Sequence, residues 1–219
     1  KEIKDSGEQA DDAKGKFSGF TSVLSGMGTA LKAAAAATAA AVAGAATAIG
    51  ALTTKAIEGY AAQEQLVGGV ETLFKTSSDT VVGYANDAYK TAGMSANEYM
   101  ETVTSFSASL LASMNNDTAA AAEKANVAIT DMSDNANKMG TDISLIQNAY
   151  NGFAKQNYTM LDNLKLGYGG TKEEMQRLLD DASKLSGIKY DISSYSDIVD
   201  AIHVVQTEMG ITGTTAKEA

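Results

Sequence analysis

The chain has 219 residues, a formal net charge of −10 and no proline, cysteine or tryptophan. Without cysteine it cannot form a disulfide or a zinc site with thiolate ligands. Its one arginine and scattered lysines do not suit the phosphate contacts that drive nucleic-acid binding, so we expect no specific nucleic-acid partner. Because proline breaks helix interiors, its absence favours long helices. We therefore expect an all-α protein.

Residues 1–60 carry apolar or small side chains at alternating steps of three and four. A repeat of about 3.5 residues keeps one face of a helix turned towards a partner helix in a left-handed supercoil. We therefore predict a long, Ala-rich, coiled-coil-like helix that self-associates into a homo-oligomer. The heptad seam consists of Ile3, Ser6, Ala10, Ala13, Phe17, Phe20, Leu24, Met27, Leu31, Ala34, Thr38, Ala41, Ala45, Ala48 and Leu52.

An uncharged run of 22 residues, 33–54, lies between Lys32 and Lys55 inside this segment. Its length matches a membrane-spanning helix of about 20 residues, but it consists mostly of alanine, threonine and glycine. Two interpretations stay open. The composition favours an Ala-rich helix packed against its neighbours, and the length allows a segment that enters a membrane. The candidate membrane segment is marked by Ala33, Val42, Ile49 and Leu52.

Residues 61–219 are predicted to form a compact multi-helix bundle domain. Five segments repeat apolar residues at steps of three and four, as amphipathic helices do. Two capping boxes, starting at Ser95 and Thr171, predict helix starts, and four glycines predict helix ends. Residues 190–195 are the only place where a short extended piece is expected. The five segments are 99–114, 125–139, 143–153, 175–185 and 198–209, and the glycines are Gly93, Gly140, Gly187 and Gly210.

Few residues in this chain suggest catalysis. His203 is the only histidine, and because it lies between apolar neighbours we predict a structural role for it. The adjacent carboxylates Glu173 and Glu174 would point about 100° apart on a helix, so they would not share a pocket. The glycine-rich stretch 166–172 lacks the spacing of a phosphate-binding loop and is expected to join two helices. We predict no enzyme activity, no catalytic or metal-binding residues and no cofactor.

Distinctive stretches follow one another through the second part of the chain, above all at residues 134–141 and 147–171, and continue at 188–192 and 202–206. Over residues 105–186, and on to about residue 219, the chain resembles the tape-measure proteins of long-tailed phages and prophages of Gram-positive bacteria. Residues 1–60 share only their Ala-rich, helical character. No active-site residue is carried over, because the motif of that family is not catalytic.

The resemblance implies an internal fragment of a structural protein that lies extended in the tail tube lumen of the virion and sets tail length. Its partners would be the tail tube protein, the tail tip proteins and, in the host cytoplasm during assembly, the tail assembly chaperones. It also implies release at infection to assist DNA ejection across the host envelope, where the host membrane becomes a partner. The alternative interpretation is a membrane-inserting channel or pore-forming protein that acts through residues 33–54.

Overall fold

The computed structural model describes residues 62–218, and in this range the chain is all-α, as predicted, with no strand. The heptad seam and the candidate membrane segment lie outside the described residues. Within the described range, no helix combines the length and the apolar character needed to cross a membrane. The helices are α1 (62–74), α2 (Ser78–Thr91), α3 (Ala96–Ser113), α4 (Thr118–Met139), α5 (Ile143–Phe153), α6 (Lys172–Ser186), α7 (Tyr195–Glu208) and α8 (Thr214–Glu218).

Capping side chains set the starts of α3, α4, α5, α6 and α7. Ser95 and Thr171 each accept a hydrogen bond from the backbone N–H three residues ahead, at 3.2 Å, which confirms the hydroxyl half of the two predicted capping boxes. At Thr171 the other half is wrong, because the Glu174 carboxylate accepts from the N–H of Gly169 instead. Asp117 caps α4 and Asp142 caps α5 in the same manner, although the sequence patterns did not single them out. Each cap satisfies a backbone donor that the first turn of a helix leaves without a partner.

Glycines follow four of the helices, also as predicted. Gly140 directly follows α4 and has a φ of 61°, a left-handed conformation that costs glycine little. The expected extended piece at 190–195 is wrong, because its residues form an irregular connection and Tyr195 already begins α7. The other three glycines, which follow α2, α6 and α7, are Gly93, Gly187 and Gly210.

Within residues 62–218, two short 3-10 helices lie between the α-helices. Lys75–Ser77 separates α1 from α2, and Lys75 has a φ of 51° although it is not a glycine. Leu161–Leu164 lies between α5 and α6 and contributes two buried leucines to the core. Neither interruption was predicted from the sequence.

The central element of the bundle is α4, which contacts α2, α3, α5, α7 and α8. Its residues 131–135 are all buried. Five consecutive residues cover more than one helical turn, so α4 is enclosed on every side at this level. Its own Ile129 and Met132 are fully buried, and so are Ile146, Tyr150 and Phe153 of α5.

Candidate functional site

The candidate site is the polar stretch in the middle of α4. Four of the five enclosed residues, Asp131, Ser133, Asp134 and Asn135, have polar side chains, and none is more than 8% exposed. Successive residues of a helix point about 100° apart, so the four side chains reach different neighbours. Burying polar groups is costly unless they are hydrogen-bonded, so their partners indicate what the stretch does.

Asp134 holds the segment that leads into α8. The side chain is fully buried, and its two oxygens accept hydrogen bonds from the backbone N–H groups of Gly213, at 2.5 Å, and Thr215, at 2.8 Å. The hydroxyl of Thr214 donates to the backbone carbonyl of Asp134 at 3.2 Å. Hydrogen bonds to an ionised acceptor are among the stronger ones in proteins. The carboxylate therefore fixes the C-terminal part of the described chain to the central helix.

Asn135 and Ser133 bind carbonyl groups at the ends of two other elements. The Asn135 amide donates to the backbone carbonyl of Leu164, at 3.0 Å, at the end of the second 3-10 helix. The Ser133 hydroxyl donates to the carbonyl of Ala92, at 2.6 Å, directly after α2. Because the last carbonyls of a helix have no partner within it, these bonds satisfy groups that would otherwise be unpaired.

Asp131 pairs with the only histidine. Nδ1 of His203 lies 2.8 Å and 3.0 Å from the two carboxylate oxygens, which joins α7 to α4. The carboxylate is 2% exposed, whereas the imidazole is 43% exposed. The hydrogen bond to Asp131 raises the pKa of His203, and burial raises the pKa of Asp131. A second ion pair between the same two helices, Lys124 with Asp200, lies beside it.

Two further buried polar side chains, Tyr195 and Gln206, lie near Tyr150, which itself lies near Asp131. The Tyr195 hydroxyl has no hydrogen-bond partner within the described part of the chain, and the Tyr150 hydroxyl and the Gln206 amide lie close to each other without a well-formed hydrogen bond. Burial raises the pKa of each tyrosine well above its ordinary value, and the charge of Asp131 adds to the shift at Tyr150. The core between α4, α5 and α7 therefore contains several polar groups among its apolar side chains, which neither the apolar pattern nor any motif had predicted.

The glycine-rich stretch forms the connection before α6, as expected. Its Gly169 N–H donates to Glu174 at 3.0 Å, and Arg177 pairs with the same carboxylate at 2.5 Å. These contacts, with the hydrogen bond from Arg177 first, lower the pKa of Glu174 to about 2. Glu173 is exposed and Glu174 half-buried, so the two carboxylates do not share a pocket. This surface network orders the loop around α6.

His203 lies in a helix, as predicted, but its partner Asp131 lies 72 residues away in the chain and was not predicted. A histidine oriented by a buried carboxylate can act as a general base only where a substrate or nucleophile meets its free nitrogen. The hydrogen bonds of His203 among residues 62–218 are those with Asp131. That part of the chain holds no group of three side chains suited to a metal ion. Comparisons with protein families, curated proteins and solved structures found no match to this chain.

Proposed function

We propose that this chain is a structural segment of a phage tail tape-measure protein, which sets tail length within the tail tube and aids tail assembly. The observation that carries the proposal is the position of the residues on which the resemblance rests. They include Asp134 and Asn135, which hold neighbouring segments, and Gly152 and Gly170, which allow close backbone contacts. A stretch whose side chains serve the fold is what a structural protein without a catalytic centre requires.

The distribution of charge supports the same proposal. Residues 1–60 contain six acidic and six basic side chains, so the net charge of −10 belongs to residues 61–219. A neutral heptad segment can pack against copies of itself without electrostatic repulsion, while an acidic domain repels DNA that passes nearby. Both properties suit a protein that fills a tube which DNA later uses.

The length of the heptad segment provides the test. In the phage or prophage that encodes the chain, an in-frame duplication of residues 3–30 adds 28 residues, or four heptads. At about 1.5 Å per helical residue, tails should lengthen by about 42 Å in electron micrographs. A matched control replaces Ala10 by serine and leaves the length unchanged. Unchanged tails in the duplication variant, or a gene with no tail genes beside it, would contradict the proposal.

Self-association is tested on the full chain. Sedimentation velocity over a range of concentrations should reveal oligomers, since the seam at residues 3–52 needs a partner helix to cover it. A strict monomer at the highest concentration would remove homo-oligomerisation from the proposal.

Passage of DNA across the host envelope is the finer part of the proposal, and it rests on residues 33–54. The full chain should float with liposomes of phosphatidylglycerol and phosphatidylethanolamine. A variant with Val42 and Ile49 replaced by aspartate should not, because charges in the centre of a span are costly. If the wild-type chain stays in the aqueous fraction, the membrane role is refuted and only the assembly role remains proposed.

A further inference from the structure

The pairing of His203 with Asp131 joins an exposed group to a buried one. Both carboxylate oxygens lie within 3.0 Å of Nδ1, so the inner nitrogen of the imidazole is engaged by the core. The imidazole as a whole is 43% exposed and Asp131 only 2%. The two residues belong to α7 and α4, which pack directly against each other. Solvent protons therefore reach the imidazole while the carboxylate stays in the interior.

We propose that this pair is a proton-operated latch, which holds α7 against the central helix when the imidazole is protonated and weakens that contact when it is neutral. The pair acts within the folded domain, and its action does not depend on the proposed role as a tape-measure protein.

The mechanism follows from the two nitrogens of the ring. In both states Nδ1–H donates to Asp131, because the carboxylate accepts hydrogen bonds and cannot donate one when ionised. The second proton binds Nε2 from solvent and gives the ring a positive charge. A buried carboxylate is costly unless it is paired with a cation, so protonation stabilises the packed state. Loss of that proton leaves Asp131 with a neutral hydrogen-bond donor only.

Charged groups on the neighbouring helices also affect the pKa values of His203 and Asp131. Lys124 on α4 opposes protonation of His203, and Asp200 on α7 favours it, and the two pair with each other. Two other carboxylates, Asp134 on α4 and, more weakly, Asp200 on α7, raise the pKa of Asp131. From α5, the hydroxyl of Tyr150 lies close enough for the charge of Asp131 to raise its pKa.

The remaining two helices that pack on α7 face it with uncharged side chains. On α6 the buried side chains are apolar, and the charged residues Glu174, Arg177 and Asp181 pair among themselves. From α3, Phe106 meets the ring of Tyr195 edge-on, with ring centroids 6.1 Å apart. The charge on His203 is therefore set mainly by Asp131.

The direction of the pH effect follows from the two pKa shifts. The pKa of His203 is raised above its ordinary value of 6.5, chiefly by the hydrogen bond to Asp131. Its contribution to stability is complete below pH 6.5 and is lost as the pH rises through the higher, folded-state pKa. Burial raises the pKa of Asp131 above 3.8. At lower pH, this shift too makes the stability of the fold decrease as the pH rises. The latch therefore opens on the alkaline side.

Urea unfolding of the full chain between pH 5.5 and 8.5 tests the latch. Eight of the nine tyrosines lie in residues 62–218, so near-ultraviolet circular dichroism reports on this domain. The equilibrium constant for unfolding should rise above pH 6.5, by at most tenfold per pH unit because one proton is involved. In His203→Gln this rise should disappear. In the control Asp200→Asn it should persist, because Asp200 is a lesser cause of the shift at His203.

A direct titration protects the test against variants that fail to fold. Because the chain has a single histidine, the proton on Cε1 of His203 gives one resonance in the nuclear magnetic resonance spectrum of the wild-type protein, and its shift with pH reports the pKa of the imidazole. Its pKa should lie above 6.5 in the folded chain and should fall in Asp131→Asn. A wild-type pKa at or below 6.5 would overturn the latch. So would a His203→Gln variant that keeps the wild-type pH dependence.

Discussion

The substitution Asp134→Asn tests how strongly the buried carboxylate holds the C-terminal segment. It keeps the size of the side chain but turns one acceptor oxygen into an NH2 group, which would face the backbone N–H of Gly213 or Thr215. The loss of a hydrogen bond to a charged acceptor costs about 1.5–3 kcal/mol, and an unpaired buried donor costs about 1–3 kcal/mol more. Because a neutral amide is easier to bury than a carboxylate, we expect a net loss of about 2–3 kcal/mol.

The matched control is Asp142→Asn. Asp142 also accepts a backbone N–H bond, from Ser144, but it is exposed, and asparagine caps helices about as well as aspartate. With an m-value of about 2 kcal/mol/M, the urea midpoint of the Asp134 variant should fall by about 1–1.5 M. The control should shift it by less than about 0.3 M. Equal midpoints in the two variants would refute the assignment of Asp134 as the residue that holds α8.

Three further substitutions test other parts of the structure by thermal unfolding. Lys75→Gly should stabilise the domain by about 1 kcal/mol, because it removes a side chain from a left-handed conformation, whereas Lys75→Ala should not. Gly170→Ala should destabilise the domain by about 1–3 kcal/mol, because a Cβ would overlap the backbone carbonyl of Thr159. The control Gly83→Ala, on an open helix surface, should be neutral or stabilising. Tyr150→Phe should raise the melting temperature, because it removes a buried hydroxyl that lies near the Gln206 amide without forming a well-aligned hydrogen bond in the described residues. A lower melting temperature in Tyr150→Phe would show that the hydroxyl is hydrogen-bonded.

Helix ends were predictable because their chemistry is local. The capping side chains of Ser95 and Thr171 contact a backbone group three residues away, and Gly140 and Gly187 take up left-handed conformations directly after their helices. The interruption between α1 and α2 at Lys75 was not predicted, because its cause is not local. A lysine does not prefer a positive φ, so only the packing around it holds the chain there.

The polar stretch of α4 was not recognised from its sequence. In a helix with apolar residues such as Ile129 and Met132 on one face, the intervening polar residues normally face solvent. Here Asp131 and Asp134 are buried because other helices cover that face too. Their partners lie 72 to 81 residues further along the chain, where no spacing rule connects them.

The sequence alone therefore determined the helical class, the starts of α3 and α6 and the ends of α2, α4, α6 and α7, since these follow from turn-length interactions between near neighbours. The tertiary structure decided which helix lies at the centre and which polar side chains are buried. It also brought Asp131 to His203, and Asp134 to the residues that lead into α8. Such contacts form only when distant segments pack, and their energies depend on burial, which a local pattern does not encode.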